Sequence, residues 1–570
     1  MNMLPIFTEP RRHPDRAALA DRPPDQSLDQ PAHHASAARQ PLARIFVSPQ
    51  RERRETNWVY LAILSLALGV APLLMLGGAA SGFTTMLALL GGVVLVALIW
   101  WRPIIGLYVI AFCAVVIEQE PLPYNIFTDR LNIFYWPPRL DGVMPERPIG
   151  FLLLFIFLLI IFQRLLARKR VLRGGALLWP FLFLLACVVM GIARGLTSGG
   201  TLRIIVLEVR PFWYLFLAYL LAYNLVTEKR HVRTLLWITI LGTGIKALQG
   251  VYIVVGPLHG HIQGQNEIMA HEQSFFFVLI LLLIALFSLH KRYWPQLAAC
   301  LVILPFLLVA LVANNRRADY SALALGVVVA WLLIIIAKPK ARKGLITGLV
   351  ISAALAGAYV LVFQHVNGSL GEPARAVISV IHPSASDARD AASNLYRYVE
   401  DYDLKYTEAQ SPITGYGFGK PFIQPLVLPN IVDLDPYYLF IPHNNVLWIW
   451  MRLGPLGYLA FFYLLGAAII RGSQMVRRLK DPMLQLMAIF VVATIFIEVP
   501  LAYGDYQLFF YRNILYIGIL LGVLMKLPHL DDAAPASSAT PPNQENTTPT
   551  HETAHGHTPP APALVGGGRP

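Results

Sequence analysis

Five hundred and seventy residues would suit several soluble domains, yet 56% are hydrophobic and only 14% charged, and a mean hydropathy of +0.55 belongs to a chain whose main solvent is a bilayer. The net charge of +13 invites a nucleic-acid reading, but the Lys and Arg residues sit mostly between apolar runs, so membrane lipid is an expected partner and nucleic acid is not. Runs such as "GFLLLFIFLLIIFQRLL" are continuously apolar and lack the period-two alternation of a transmembrane barrel; the expected fold is all-α, a polytopic transmembrane helix bundle.

In chain order, residues 1–56 are rich in Pro, Arg, His and Asp and precede the first long apolar run, which is not the order of a secretory signal. They are expected as a disordered basic cytoplasmic tail. Apolar runs near 57–78, 80–101, 104–117, 149–166, 176–193, 207–225, 234–256, 274–290, 296–313, 320–337 and 344–363 form an N-terminal transmembrane bundle over 57–363, in which 104–117 is short enough to be re-entrant instead. The stretch 364–443 is the longest connector. Runs near 444–470, 482–498 and 511–527 give C-terminal transmembrane helices over 444–527, and 528–570, rich in Pro, Ala, Thr and His, reads as a second disordered cytoplasmic tail. The total is about twelve to fourteen spans. Cys113, Cys187 and Cys300 all fall in apolar runs and read as small packing residues.

Basic connectors occur at every second position, in "RLLARKRVLR" (164–173), "EKRHVR" (228–233), "HKR" (290–292), "KPKARK" (338–343) and "RGSQMVRRLK" (471–480). By the positive-inside rule these face the cytoplasm, as do both termini. The 364–443 connector then lies outside, as one large loop. It holds five Lys and Arg against nine Asp and Glu, as the rule expects.

Against that background, Arg203 and Arg210 before one span and Arg316 with Arg317 before another sit at the outer boundary. A guanidinium there suits an anionic group such as a lipid diphosphate, because it stays charged and bonds phosphate oxygens in pairs. The alternative is snorkelling or local pairing, Arg210 with Glu208 or Arg317 with Asp319. His443, in "IPHNNVLWIW", lies at the lip of a span and is a candidate base or anion contact; the alternative is a helix entry capped by Asn444 and Asn445. "GYGFGK" at 415–420, with Gly415 and Gly417, follows neither a Walker nor a dinucleotide pattern and marks a tight turn, a candidate hinge for a binding loop. His259, His261, Glu267, His271 and Glu272 follow no zinc spacing and read as groups lining an outer vestibule. No metal or cofactor is expected.

Three stretches resemble the bacterial O-antigen ligase and O-antigen or exopolysaccharide polymerase superfamily of integral membrane glycosyltransferases. They are "LEVRPFWYLFLAYLL", "NNRRADYSALALG", and "SNLYRYVEDYDLKYTEAQSPITGYGFG" followed by "PHNNVLWIWMRLGPLG". The resemblance implies a GT-C-like bundle in the bacterial inner membrane, which would make the large outside loop at 364–443 periplasmic. It further implies an undecaprenyl-diphosphate-linked glycan donor, a glycan or lipid A-core acceptor, other polysaccharide-assembly proteins as partners, and inverting transfer. Arg210 and Arg317 would hold the diphosphate, with Arg316 and Arg203 as neighbours. His443 would orient or deprotonate the acceptor, with Arg397, Asn444, Gly415 and Gly417 as secondary contacts. The rival from another class is a transporter or flippase of lipid-linked oligosaccharide, for which Lys246 and Glu498 come closest to midplane charges.

Overall fold

The computed structural model describes residues 83–532 apart from 120–123, 125–127, 129–132, 135–145, 262–267, 290–292, 315, 367, 369–370, 382–387 and 433–434. The expected span at 57–78, the tail 1–56 and the stretch beyond 532 lie outside the described residues. The chain falls into two compact units, Met1–Val93 and Val94–Pro570, and the bundle and site below belong to the second.

The described residues are helical, with no strand among them. The helices are α1 (Phe83–Trp101), α2 (Ile104–Val116), α3 (Pro148–Leu166), α4 (Leu178–Thr197), α5 (Leu202–Leu225), α6 (Lys229–Val255), α7 (Gln273–Ser288), α8 (Trp294–Ala313), α9 (Arg317–Ala337), α10 (Arg342–Phe363), α11 (Glu372–Ile381), α12 (Ala388–Ala409), α13 (Asn445–Arg478), α14 (Pro482–Gly504) and α15 (Tyr511–Asp532). The last of these carries helix to Asp532, into the stretch read as tail.

Ten of them, α3 to α6, α8 to α10 and α13 to α15, are long and apolar enough to cross a membrane. None of the 22 residues of α10 is buried, although its Val350, Leu355 and Leu361 are large and apolar. Such a helix is stable where lipid covers it. At the other extreme, 89% of the apolar window of α15 is buried. Gly518 and Gly522, one turn apart, let its backbone lie on α5, since a Cβ at either would press on the Leu215 or Tyr219 carbonyl.

The ten are counted among the described residues, which leave out the expected span at 57–78, and further apolar helices, α2 and α7 among them, are shorter. The 13 residues of α2 and 16 of α7 reach roughly 20 and 24 Å, short of about 30 Å of hydrocarbon. Both helices end inside the protein, where one buried guanidinium serves them. Arg512 donates to the Ala114 and Val115 carbonyls (2.9 and 2.8 Å), to Glu272 Oε1 (3.1 Å) and to Gln273 Oε1 (2.6 Å). Orphan carbonyls at the end of α2 and the cap residue of α7 are thereby satisfied away from water. The neighbouring Lys246 is buried and ion-paired with Glu118.

Where α13 ends, the basic connectors are tied together. Lys229 Nζ meets Asp481 at 2.7 Å, Asp531 accepts the Lys480 and Asp481 N–H groups, and Arg164 donates to Asn224.

Candidate active site

The site forms at the opposite end, under α12. Its inward face repeats at helical spacing through Ser393, Tyr396 and Arg397, Glu400, Leu404 and Thr407. The segment before α13 clamps the helix in place. Asp403 Oδ1 accepts the Leu426 N–H (3.1 Å), Thr407 Oγ1 accepts the Ile423 N–H (2.8 Å), and Asp401 Oδ1 accepts from Asn444 Nδ2 (3.0 Å). Burial raises both aspartates above the usual carboxylate range. Asp401 ties α12 to the cap of α13, and Asp403 ties it to the loop segment leading there.

Between α12, the start of α9 and the end of α14 opens a pocket of about 580 Å³. Arg316 and Arg317 line it from the head of α9 and Arg397 from α12, while Asp505, Gln507 and His271 close the other side. The head of α9 is fixed by Asn314, whose Oδ1 accepts the Met269 N–H and whose Nδ2 donates to Ser274 Oγ, both at 2.9 Å. Arg317 Nη2 donates to Asn394 Oδ1 on α12 at 3.3 Å. Arg316 Nη1 lies 3.9 Å from Asp505 Oδ2. Burial pulls the Arg397 guanidinium below its usual range; Asp505 and Glu400 oppose this, and Arg316 and Arg317 add to it. Three arginines converging on one concavity form an electropositive seat for an anion with several oxygens.

His443 stands beside this pocket, one aromatic ring away. Its N–H donates to Glu400 Oε2 (3.0 Å) and its Nδ1 lies 3.2 Å from Glu400 Oε1. The rings of Tyr396 and Tyr506 meet the imidazole, each with centroids 5.5 Å away, and Tyr506 precedes Gln507 of the pocket wall. A carboxylate on Nδ1 favours the tautomer that leaves Nε2 able to accept a proton.

The other residues singled out from the sequence lie elsewhere. Arg210 is buried, with Nε 3.2 Å from Glu146 Oε1 and Nη1 donating to Tyr511 Oη at 2.8 Å, so its ionic partner is not Glu208. It is not among the residues lining the pocket. Arg203 is exposed on the first turn of α5. Asn444 caps α13, accepting the Leu447 N–H at 3.1 Å, and Asn445 Oδ1 accepts the Leu508 N–H at 2.9 Å. His259 and His261 are exposed turn residues, Glu272 faces Arg512, and Glu267 lies outside the described residues.

Gly415 and Gly417 serve close backbone packing. Both have positive φ (74° and 80°). A Cβ at Gly415 would strike the Gly454 and Arg452 backbone, and one at Gly417 the Gly195 backbone. The Tyr416 and Gly417 N–H groups donate to the Met451 and Arg452 carbonyls, next to a kink in α13 at Gly454, where φ is 66°. Arg452, fully buried, ties the turn down. It pairs with Glu208 at 2.6 Å and donates to the Gly417, Lys420 and Phe440 carbonyls, while Glu208 Oε2 accepts the Gly419 N–H at 2.6 Å. The Glu208 first considered for Arg210 therefore belongs to Arg452.

Sequence reasoning did not single out Glu400, Asp505 or Arg452. Glu400 had a signal, lying three residues after Arg397 on a polar helix. Asp505 and Arg452 had none, since each meets partners distant in the chain.

The fold and pocket define a multi-pass helical membrane protein with an arginine-lined cavity beneath a loop helix. Residues 302–462 match the family model described as O-antigen ligase, a stretch that includes Arg316, Arg317, Arg397 and His443 and supports placing the chain in the O-antigen ligase and polymerase superfamily. No curated protein matches the chain.

Proposed function

We propose that the chain is a glycosyltransferase of the bacterial inner membrane that polymerises or ligates a surface polysaccharide. The donor is an undecaprenyl-diphosphate-linked glycan, the acceptor a glycan or a lipid A-core, and transfer takes place on the periplasmic face, with inversion and without a metal. Both termini are cytoplasmic. The observation that carries this reading is the convergence of Arg316, Arg317 and Arg397 on one pocket beside His443, all four within the O-antigen ligase match.

Arg317 and Arg397, with Arg316, hold the donor diphosphate and neutralise the charge that grows on it as the glycosidic bond breaks, an effect worth about 3–4 kcal/mol for a well-aimed donor. His443, oriented by Glu400, accepts the proton of the acceptor hydroxyl. Arg210 serves the donor less directly, because it holds Tyr511 at the head of α15 and reaches an anion only by leaving Glu146.

The experiment is substitution of Arg317, Arg397 and His443 by Ala, with membrane insertion confirmed and polymer and lipid intermediates assayed. Each change is expected to abolish glycan transfer from the carrier to the acceptor. Single repeat units left on the carrier identify a polymerase, and finished polymer on the carrier a ligase. Wild-type transfer to the acceptor in all three variants overturns the proposal.

A further inference from the structure

We propose that His271, held by Asp505, is a second catalytic histidine acting on the donor side of the pocket; this rests on the glycan-transfer reading above. His271 lines the same cavity as the three arginines. Its Nδ1 lies 3.2 Å from Asp505 Oδ2, and Asp505 is itself anchored by the Gln507 amide (3.2 Å) and the Tyr506 N–H (2.9 Å). The arrangement repeats that of His443 and Glu400. Each imidazole has Nδ1 at 3.2 Å from a buried carboxylate, and both rings abut Tyr506, at 5.5 Å for His443 and 6.0 Å for His271. One dyad belongs to the loop helix and the other to the end of α14. Tyr506 stands between them.

Two oriented histidines suit the two proton movements of the transfer. The acceptor oxygen bonds to the anomeric carbon, and the bond from that carbon to the diphosphate oxygen breaks, its electron pair leaving with the carrier. The hydroxyl proton passes to His443. His271, starting as imidazolium with Asp505 on Nδ1, donates its Nε2 proton to the departing oxygen, and both histidines return to their starting states by exchange with water. The charged groups around His271 are Asp505, Arg316 behind it, Asp319 at the head of α9, and Arg317 and Arg397 across the pocket. Its chain neighbour Glu272 is engaged by Arg512.

The test uses the full chain in lipid nanodiscs with a polyprenyl-diphosphate-linked oligosaccharide as donor. His271→Gln is expected to lower kcat about 10²-fold, to change the KM for the donor little, and to remove the fall in activity on the alkaline side of the pH profile. His443→Gln should instead remove the fall on the acid side. If His271→Gln does not insert, Asp505→Asn provides the same readout, since loss of the carboxylate moves the alkaline fall to lower pH. Wild-type kcat in His271→Gln, a lowered kcat with the profile unchanged, or an unmoved alkaline limb in Asp505→Asn overturns the assignment. If Arg317→Ala and His443→Ala are also fully active, the glycan-transfer reading has failed. If those two are inactive while His271→Gln is not, only the second histidine has.

Discussion

Glu400 grips His443 at two points, one carboxylate oxygen on its backbone N–H and the other on its ring Nδ1, and Glu400 is 1% exposed. The loop helix therefore sets both the position of the segment entering α13 and the tautomer of its histidine. Glu400→Gln keeps a group able to accept the N–H but removes the charge opposite the ring. It should lower kcat by about 10²-fold or more, with little change in the KM for the donor, because Glu400 does not line the anion pocket. Steady-state kinetics on inserted protein decide it, and an unchanged kcat would detach Glu400 from catalysis.

The arginines should separate by position. Arg317→Ala and Arg397→Ala are each expected to slow transfer about 10²- to 10³-fold, and Arg203→Ala, on an exposed first turn, to change the rate less than about twofold. Arg210→Ala should lower thermal stability along with activity, since it removes the buried guanidinium that Glu146 and Tyr511 share. Equal losses at Arg203 and Arg317 would show that the pocket is not where the donor sits.

Arg452→Ala removes the partner of a fully buried Glu208 and frees three carbonyls around the 415–420 turn. Breaking such a pair costs about 3–5 kcal/mol. Gly195→Ala should act on the same joint, because its Cβ meets the Phe418 carbonyl. Both variants are expected to lower the unfolding temperature and expose the turn to protease. Normal melting in Arg452→Ala would refute the clamp.

Lys246 and Glu118 form a second buried pair, behind the ends of α2 and α7. Lys246→Met alone leaves a carboxylate unpaired in the bundle and should destabilise by about 3–5 kcal/mol, whereas Lys246→Met with Glu118→Leu should recover most of that. Thermal unfolding of the two singles and the double variant reports the coupling. If the double variant is no better than the worse single, the pair is not an isolated ionic unit.

The bilayer as solvent, the helical class and most helix positions followed from the sequence, because a chain crossing hydrocarbon must satisfy its backbone within each segment and writes that need as apolar length. The loop 364–443 and Arg316, Arg317 and His443 were also legible, since charge at a span boundary is conspicuous, whereas Arg397 was named only through the family resemblance. Apolar length did not show that α2 and α7 stop inside the protein on Arg512. The Gly-rich turn looked like a binding hinge because a sequence records φ preference but not what lies within reach of a missing Cβ. Tertiary structure alone decided the pairings: Glu208 with Arg452, Arg210 with Glu146, His271 with Asp505 and His443 with Glu400. Hydropathy is a property of each residue in turn, whereas an ion pair or an oriented imidazole depends on side chains from distant segments meeting within about 3 Å.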